Sequence, residues 1–341
     1  MRSSLIFPLA LALVSTSGCG PATEGNAPAP ARAAEVPVIQ IDGSSTVYPI
    51  TEAVAEEFQI ATKVRVTVGV SGTGGGFKKF CRGETSIANA SRPILTEEIA
   101  ACAAAGVKFI ELPVAFDALT VTVNPANTWL ESITIAELKT IWQPQAQDTV
   151  MNWKQVNPAW PDQPLKLFGA GADSGTFDYF TEAVVGKAKS SRGDFTASED
   201  DNVLVTGVAN DVNSLGFFGY AYYRENKDKL RALPVRELAD SAAVLPSLET
   251  VLDGSYRPLA RPVFVYVNAE HAKARPEITQ FVKFYLQEAQ ALITEVGYIP
   301  LSDAAYELAL SRLSGSQTGT VFEGHSEVGV HVEDLLRRQP K

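Results

Sequence analysis

Apolar and polar positions come in blocks along this chain, and the period of each block changes at a glycine- or hydroxyl-rich break. Residues 38–41, Val-Ile-Gln-Ile, form a short apolar run that reads as a buried strand ending at Asp42-Gly43. Ile50, Val54, Phe58 and Ala61 then fall on one helical face. Residues 64–70 alternate as a second strand. The glycines at 74–76 open a helix carrying Phe77 and Phe80, and residues 87–91 are a short strand with a polar end. A helix over 96–105 leads to an extended stretch at 109–112 and a further strand at 119–123, stopped by Asn124-Pro125. In Thr134-Ile135-Ala136-Glu137 the two end side chains can each satisfy the other's backbone N–H, a capping box that predicts a helix over 135–142.

A long polar connection, 144–164, follows and holds Trp153 and Trp160. A strand at 165–169 runs into Asp173-Ser174-Gly175-Thr176 and a helix marked by Phe177, Phe180, Val184 and Val185. Residues 213–220 read as a turn followed by aromatic residues. Residues 262–267 are a strong strand, 278–295 an amphipathic helix, and 306–313 helical again after the break at 297–300. The tail beyond Gly315 is polar, with helical spacing at 332–338. No internal repeat is visible. Strands alternating with helices predict an α/β fold. Chain crossings near 124–125 and within 261–267 predict two lobes on a two-strand hinge, with a ligand cleft between them. Lobe 1 is then 37–124 with 261–315, lobe 2 is 125–260, and 316–341 is a C-terminal tail.

Three breaks share one character: residues 43–49 (Gly-Ser-Ser-Thr-Val-Tyr-Pro), residues 71–76 (Ser-Gly-Thr-Gly-Gly-Gly) and residues 173–176 (Asp-Ser-Gly-Thr). Each leads into a helical pattern. A helix N-terminus carries unpaired N–H groups and partial positive charge, small residues let an anion approach, and hydroxyls add donors. Three such openings point to one shared oxyanion, phosphate above all. The chain has 341 residues and a formal net charge of −10, so an anion site must be local, and nucleic acid is a poor partner. The three histidines, His271, His325 and His331, lie far from these segments, which weakens a Ser-His-Asp hydrolase or a histidine-ligated metal site. No metal or other cofactor is implied.

The N-terminus reads as an address. Arg2 precedes an apolar run at 5–14, too short to span a bilayer and suited to a secretory signal over 1–18. Thr16-Ser17-Gly18-Cys19 is similar to a bacterial lipobox, with Thr where Leu is usual. Lipidation of Cys19 is expected, with plain signal cleavage as the alternative. Residues 19–36, rich in Ala, Pro, Gly and Glu, form a flexible tether. An extracytoplasmic compartment permits a disulfide between the remaining Cys81 and Cys102, worth roughly 3 kcal/mol for a loop of about 20 residues. Two buried free thiols are the alternative.

In family order, residues 42–49, 71–77, 88–93, 173–177, 215–220 and 297–301 resemble the phosphate-binding proteins of bacterial Pst-type ABC transporters, within the type II periplasmic binding proteins. The likeness covers about residues 37 to 313 and is strongest with a cyanobacterial-type branch that has a Ser-Arg-Pro segment and two nearby cysteines. It implies a monomeric extracytoplasmic receptor that hands inorganic phosphate to a membrane ABC permease. The implied ligands are Ser45, Thr46 and the Val47 N–H; Ser71, Thr73 and Gly74; Ser91 or Arg92; and Ser174, the Gly175 N–H and Thr176. Two positions depart from the family. Arg92 stands where enteric-type proteins carry Asp, and Ala170 where they carry Arg. Arg92 is the expected replacement cation, and Asp173 the expected carboxylate able to accept a proton from monohydrogen phosphate and to repel sulfate.

Plainer readings stand beside these. Ser45 and Thr46 could only cap a helix, residues 71–76 could only turn, Asp173 could be an N-cap, and Arg92 a structural ion pair. Phe217, Phe218, Tyr220, Trp153 and Trp160 read as packing, and the histidines as surface. Rival functions are a receptor for sulfate or molybdate, a secreted phosphatase or serine hydrolase using Ser174, and a tethered sensor without a permease. No Gly-x-Ser-x-Gly elbow supports the hydrolase.

Overall fold

The structure, a computed structural model, describes residues 38–288, 290–324, 336–338 and 340, all within one unit, Pro37–Lys341. The expected signal segment and tether, Cys19, His325, His331 and most of the predicted tail helix lie outside the described residues.

The first stretch is β1 (Val38–Gly43), α1 (Tyr48–Thr62), β2 (Arg65–Val70), α2 (Gly72–Phe80), β3 (Ile87–Ala90), α3 (Thr96–Ala104) and β4 (Phe109–Val123). The second is β5 (Ile133–Thr134), α4 (Ile135–Trp142), α5 (Trp153–Val156), β6 (Lys166–Ala170), α6 (Gly175–Val185), β7 (Thr196–Ser198), α7 (Asp201–Ala209), β8 (Ser214–Gly219), α8 (Tyr220–Glu225), β9 (Arg231–Ala232), β10 (Val235–Arg236) and α9 (Leu248–Leu252). The chain then returns through β11 (Ala260–Asn268), α10 (Ala269–Ala274), α11 (Pro276–Gln287), α12 (Gln290–Glu295), β12 (Ile299–Pro300) and α13 (Asp303–Ser314). The α/β alternation expected from the sequence is present. The capping box forms as read: Thr134 Oγ1 accepts from Glu137 N at 3.0 Å, and Glu137 Oε2 from Thr134 N at 2.8 Å.

Residues 214–219, read as a turn with aromatic residues, form β8, and two further stretches are joined or divided differently from the sequence pattern. The stretches 109–112 and 119–123 merge into the single strand β4, through Pro113, which has no N–H to give. Its register against β11 shifts between Val263 and Phe264, opposite Pro113 and Ala115, so a bulge absorbs the missing donor. The pattern 278–295 is two helices, α11 and α12. The apolar period runs on because Ile293 of α12 joins Ile278, Phe281 and Tyr285 of α11 in one core.

The main sheet runs β2-β1-β3-β11-β4-β8-β6-β7, with β9 and β12 also on β4. β1, β2 and β3 are parallel, as are β6, β7 and β8. β4 and β11 lie between these two parallel groups. β4 pairs with β11 through Ala118 and with β8 from Leu119. Each half has its own core. Ile39, Ile50, Phe58, Leu112, Val265 and Phe281 belong to one; Leu119, Ile141, Trp142, Trp153, Phe180 and Phe217 to the other. Cys81, at the end of α2, and Cys102, in α3, form a disulfide.

Candidate functional site

Parallel strands gather their carboxyl ends, and α/β proteins bind ligands outside those ends. Here Ser44–Val47 follows β1, Ser71 follows β2, Ser91 follows β3 and 171–174 follows β6. Three hydroxyls from these loops meet. Ser44 Oγ donates to Ser91 Oγ at 2.9 Å, and Ser91 Oγ lies 3.2 Å from Thr73 Oγ1. Thr73 Oγ1 also accepts the Ser91 N–H at 3.1 Å. Gly175 fits against this group because it has no side chain: a Cβ there would stand 2.5 Å from Thr73 Oγ1 and 2.6 Å from Ser91 Oγ. One residue on, Thr176 Oγ1 lies 3.0 Å from Thr46 Oγ1. Loops from both halves of the sheet therefore converge.

A charge pair lies against the Thr46–Thr176 contact. Arg261 of β11 and Asp117 of β4 are direct cross-strand partners, both fully buried, with Arg261 Nη2 at 3.0 Å from Asp117 Oδ2. The same Nη2 donates to Thr176 Oγ1 at 2.7 Å and to Thr46 Oγ1 at 3.4 Å, and Nη1 donates to the Gly175 carbonyl at 3.1 Å. Burial pushes the Asp117 carboxyl up and Arg261 pulls it back down. Ser44, Asp117 and Arg261 were not among the sequence candidates. The available signal was a single charge within each of two apolar stretches, Val-Ala-Phe-Asp-Ala-Leu and Ala-Arg-Pro-Val-Phe.

The remaining candidates have other neighbours. Ser71 Oγ donates to Asp42 Oδ1 at 2.5 Å, and the Gly74 N–H to the Asp173 carbonyl at 2.8 Å. Ser174 Oγ caps α6 by accepting the Thr176 N–H at 3.1 Å. Ser45 is buried, and its carbonyl accepts from the Tyr222 hydroxyl at 3.1 Å. Tyr298, from the Gly-Tyr-Ile-Pro segment, donates to the Thr46 carbonyl, so two tyrosines hold the first loop. Val47 sits in the core with its side chain inward. Asp173 pairs with Lys78 at 2.8 Å at the surface. Arg92 is buried but committed: to Asp178 at 2.5 Å, to both oxygens of Glu98 at 2.7 and 2.8 Å, and to the Pro93 carbonyl at 3.0 Å.

One more carboxyl faces this region. Asp201 opens α7, is buried, and has an Oδ2 with no hydrogen-bond partner. Burial, with help from Asp117 and against the pull of Arg261, pushes it up to about 7. Of the histidines, His271 lies by Ser86, 3.3 Å from its hydroxyl and remote in the chain from Ser174. No cluster of metal-ligating side chains occurs among the described residues.

A family model described as the PBP superfamily domain matches residues 25–289. Protein SphX of Synechococcus elongatus is 55% identical over 303 residues, covering 89% of each chain. The phosphate-binding protein PstS of Staphylococcus saprophyticus is 39% identical over 80% of this chain and 83% of its own. Among solved structures, a possible phosphate binding protein from Planctomyces limnophilus is 47% identical, with a TM-score of 0.61 over 82% of this chain and 98% of its own. A candidate phosphate ABC transporter substrate-binding protein from Clostridium perfringens, with phosphate bound, is 25% identical with a TM-score of 0.65 over 78% and 100%. Matched over most of its length and more than half identical to one relative, the chain belongs to the PBP superfamily, among the SphX- and PstS-like proteins.

Proposed function

We infer that this protein is an extracytoplasmic phosphate receptor that delivers inorganic phosphate to a membrane ABC permease, and is a binding protein and not an enzyme. The observation that carries the reading is Thr46 and Thr176, one from each half, meeting at 3.0 Å on the buried Arg261 guanidinium. In this structure the hydroxyls bond to one another and to Arg261. A tetrahedral oxyanion offers them charged acceptors instead, which makes stronger hydrogen bonds. Its names fit: the relatives called PstS are phosphate-binding proteins, and a structural relative holds phosphate.

The proposed ligand set is Ser44, Ser45, Thr46, the Val47 N–H, Thr73, Ser91, the Gly175 N–H and Thr176, with Arg261 as the cation. Ser71, Gly74, Asp173 and Ser174 hold the loops through the bonds described above. The proposed hinge is β4 at Ala118–Leu119, where it exchanges β11 for β8, and the lead into β11 at Leu259–Ala260. Closure about it brings the two halves onto one anion, which favours the closed state. A lipid on Cys19 and a monomeric state complete the proposal, the latter because one chain supplies both halves of the site. Calorimetric titration with phosphate, sulfate and molybdate tests it. Phosphate should bind most tightly; no heat with phosphate, or tighter sulfate, overturns it.

A further inference from the structure

Arg92 reads from sequence as a ligand, yet its surroundings are those of a clasp. It follows β3 in the first half, and three of its contacts are also there: Glu98 grips Nη1 and Nη2 with both oxygens, and Pro93 accepts from Nη1. Its guanidinium carbon lies 5.7 Å from the centre of the Phe77 ring, again in the first half. The fourth contact crosses. Nε donates at 2.5 Å to Asp178, on α6 of the second half. Both side chains of that pair are 1% exposed.

The two partners are not equivalent. Arg92 keeps Glu98 and Pro93 whether or not the halves are together, so it stays in place and neutralised. Asp178 has no other hydrogen-bonding partner for its carboxylate among the described residues, and its Oδ1 is buried and unpaired. If the halves part, Asp178 exchanges Arg92 for water; if they meet, it is desolvated against a preset cation. The contact energy therefore belongs almost wholly to the difference between closed and open. Its position fits that role: Arg92 is next to Ser91, and Asp178 is two residues beyond Thr176. Two carboxylates already face the guanidinium, so an anion there would be repelled.

We propose that Arg92 and Asp178 form a latch that holds the receptor closed over its ligand, without touching the ligand. The proposal rests on the phosphate-receptor reading. The test is Asp178→Asn in the full chain, which keeps the shape and removes the charge. Calorimetry and stopped-flow release should give phosphate affinity at least about tenfold weaker, carried by faster release, as expected when one partner of a buried charge pair is removed. The phosphate-to-sulfate ratio should stay that of the wild type. Unchanged affinity and release overturn the latch. A collapsed ratio also overturns it, because Asp178 would then be a ligand contact. If the single variant does not fold, Asp178→Asn combined with Arg92→Gln and Glu98→Gln removes all three charges of the cluster together and is read by the same criteria. The two readings fail separately: a wild type that binds no phosphate removes the receptor, whereas a wild type that binds phosphate beside an indifferent Asp178→Asn removes only the latch.

Discussion

Two buried arginines bond to the first turn of α6, and their partners divide their roles. Arg261 has one carboxylate, Asp117, fixed beside it by strand pairing, and its other donors go to the Thr46 and Thr176 hydroxyls and one carbonyl. Arg92 has two carboxylates, Glu98 and Asp178, and a carbonyl. Around Arg261 the charges balance, and the hydroxyls can rotate toward a new acceptor. Around Arg92 the acceptors are already anionic and in excess. An incoming anion is welcomed by the first arrangement and repelled by the second. A buried cation thus becomes a ligand group through what its neighbours leave open.

The sharpest way to break this comparison is Arg261→Gln. It removes the proposed ligand cation and leaves Asp117 buried without its partner. Phosphate affinity should fall by at least about a hundredfold, and unfolding in urea should show a loss of about 3–5 kcal/mol, the usual effect of stranding one member of a buried pair. Arg92→Gln should instead alter affinity only to the extent that the latch does. Equal losses of affinity in the two variants would erase the distinction.

A second effect concerns a buried carboxyl, Asp201, that feels the charges of the Arg261 pair without being bonded to it. Burial pushes the Asp201 carboxyl up to about 7, well above an ordinary aspartate. The folded state therefore holds an extra proton between about pH 4 and pH 7, and stability declines as pH rises through that window. Asp201→Asn cannot titrate. It should match the wild type near pH 4 and be more stable by a few kcal/mol at about pH 8, as read by thermal or urea unfolding at both pH values. Equal stability at pH 8 would place Asp201 in contact with water or a cation. Smaller again is Thr176→Val, which keeps the shape and deletes the hydroxyl that Arg261 meets at 2.7 Å. Losing one hydrogen bond to a charged group weakens binding by about 2 kcal/mol, or about thirtyfold in calorimetry.

Most of the hydroxyl half of the proposed site was legible in the chain because its contributors follow glycines that break the local period: Ser44 and Thr46 after Gly43, Thr73 among glycines, Thr176 after Gly175. Helix starts are local features, and sequence carries them well. The charged half was not, because Asp117 and Arg261 are 144 residues apart and meet only through the pairing of β4 with β11. The role of Arg92 was obscured for the same reason. Its position after Ser91 invites a ligand reading, and only the arrival of Asp178, 86 residues away, and the grip of Glu98 show its donors to be taken. Likewise β4 reads as two strands because Pro113 interrupts the pattern, and the bulge that accommodates it is built jointly with β11.

A third ion pair supplies the control. Lys78 and Asp173 also join α2 to the loop before α6, at 2.8 Å, but their side chains are 62% and 44% exposed. Water screens such a pair in both the joined and the parted state, and ordering two side chains offsets most of the attraction, so its net worth is about 0–1 kcal/mol. The main-chain bond beside it, from the Gly74 N–H to the Asp173 carbonyl, survives any change of side chain. Lys78→Ala should therefore shift phosphate affinity by less than about threefold, and less still in high salt, where surface pairs are screened. Asp173→Asn should leave the phosphate-to-sulfate ratio alone, since its carboxylate is exposed and already paired with Lys78. A change in that ratio on titrating Asp173→Asn would make Asp173 the discriminating carboxylate, as its place beside Ser174 suggests from sequence.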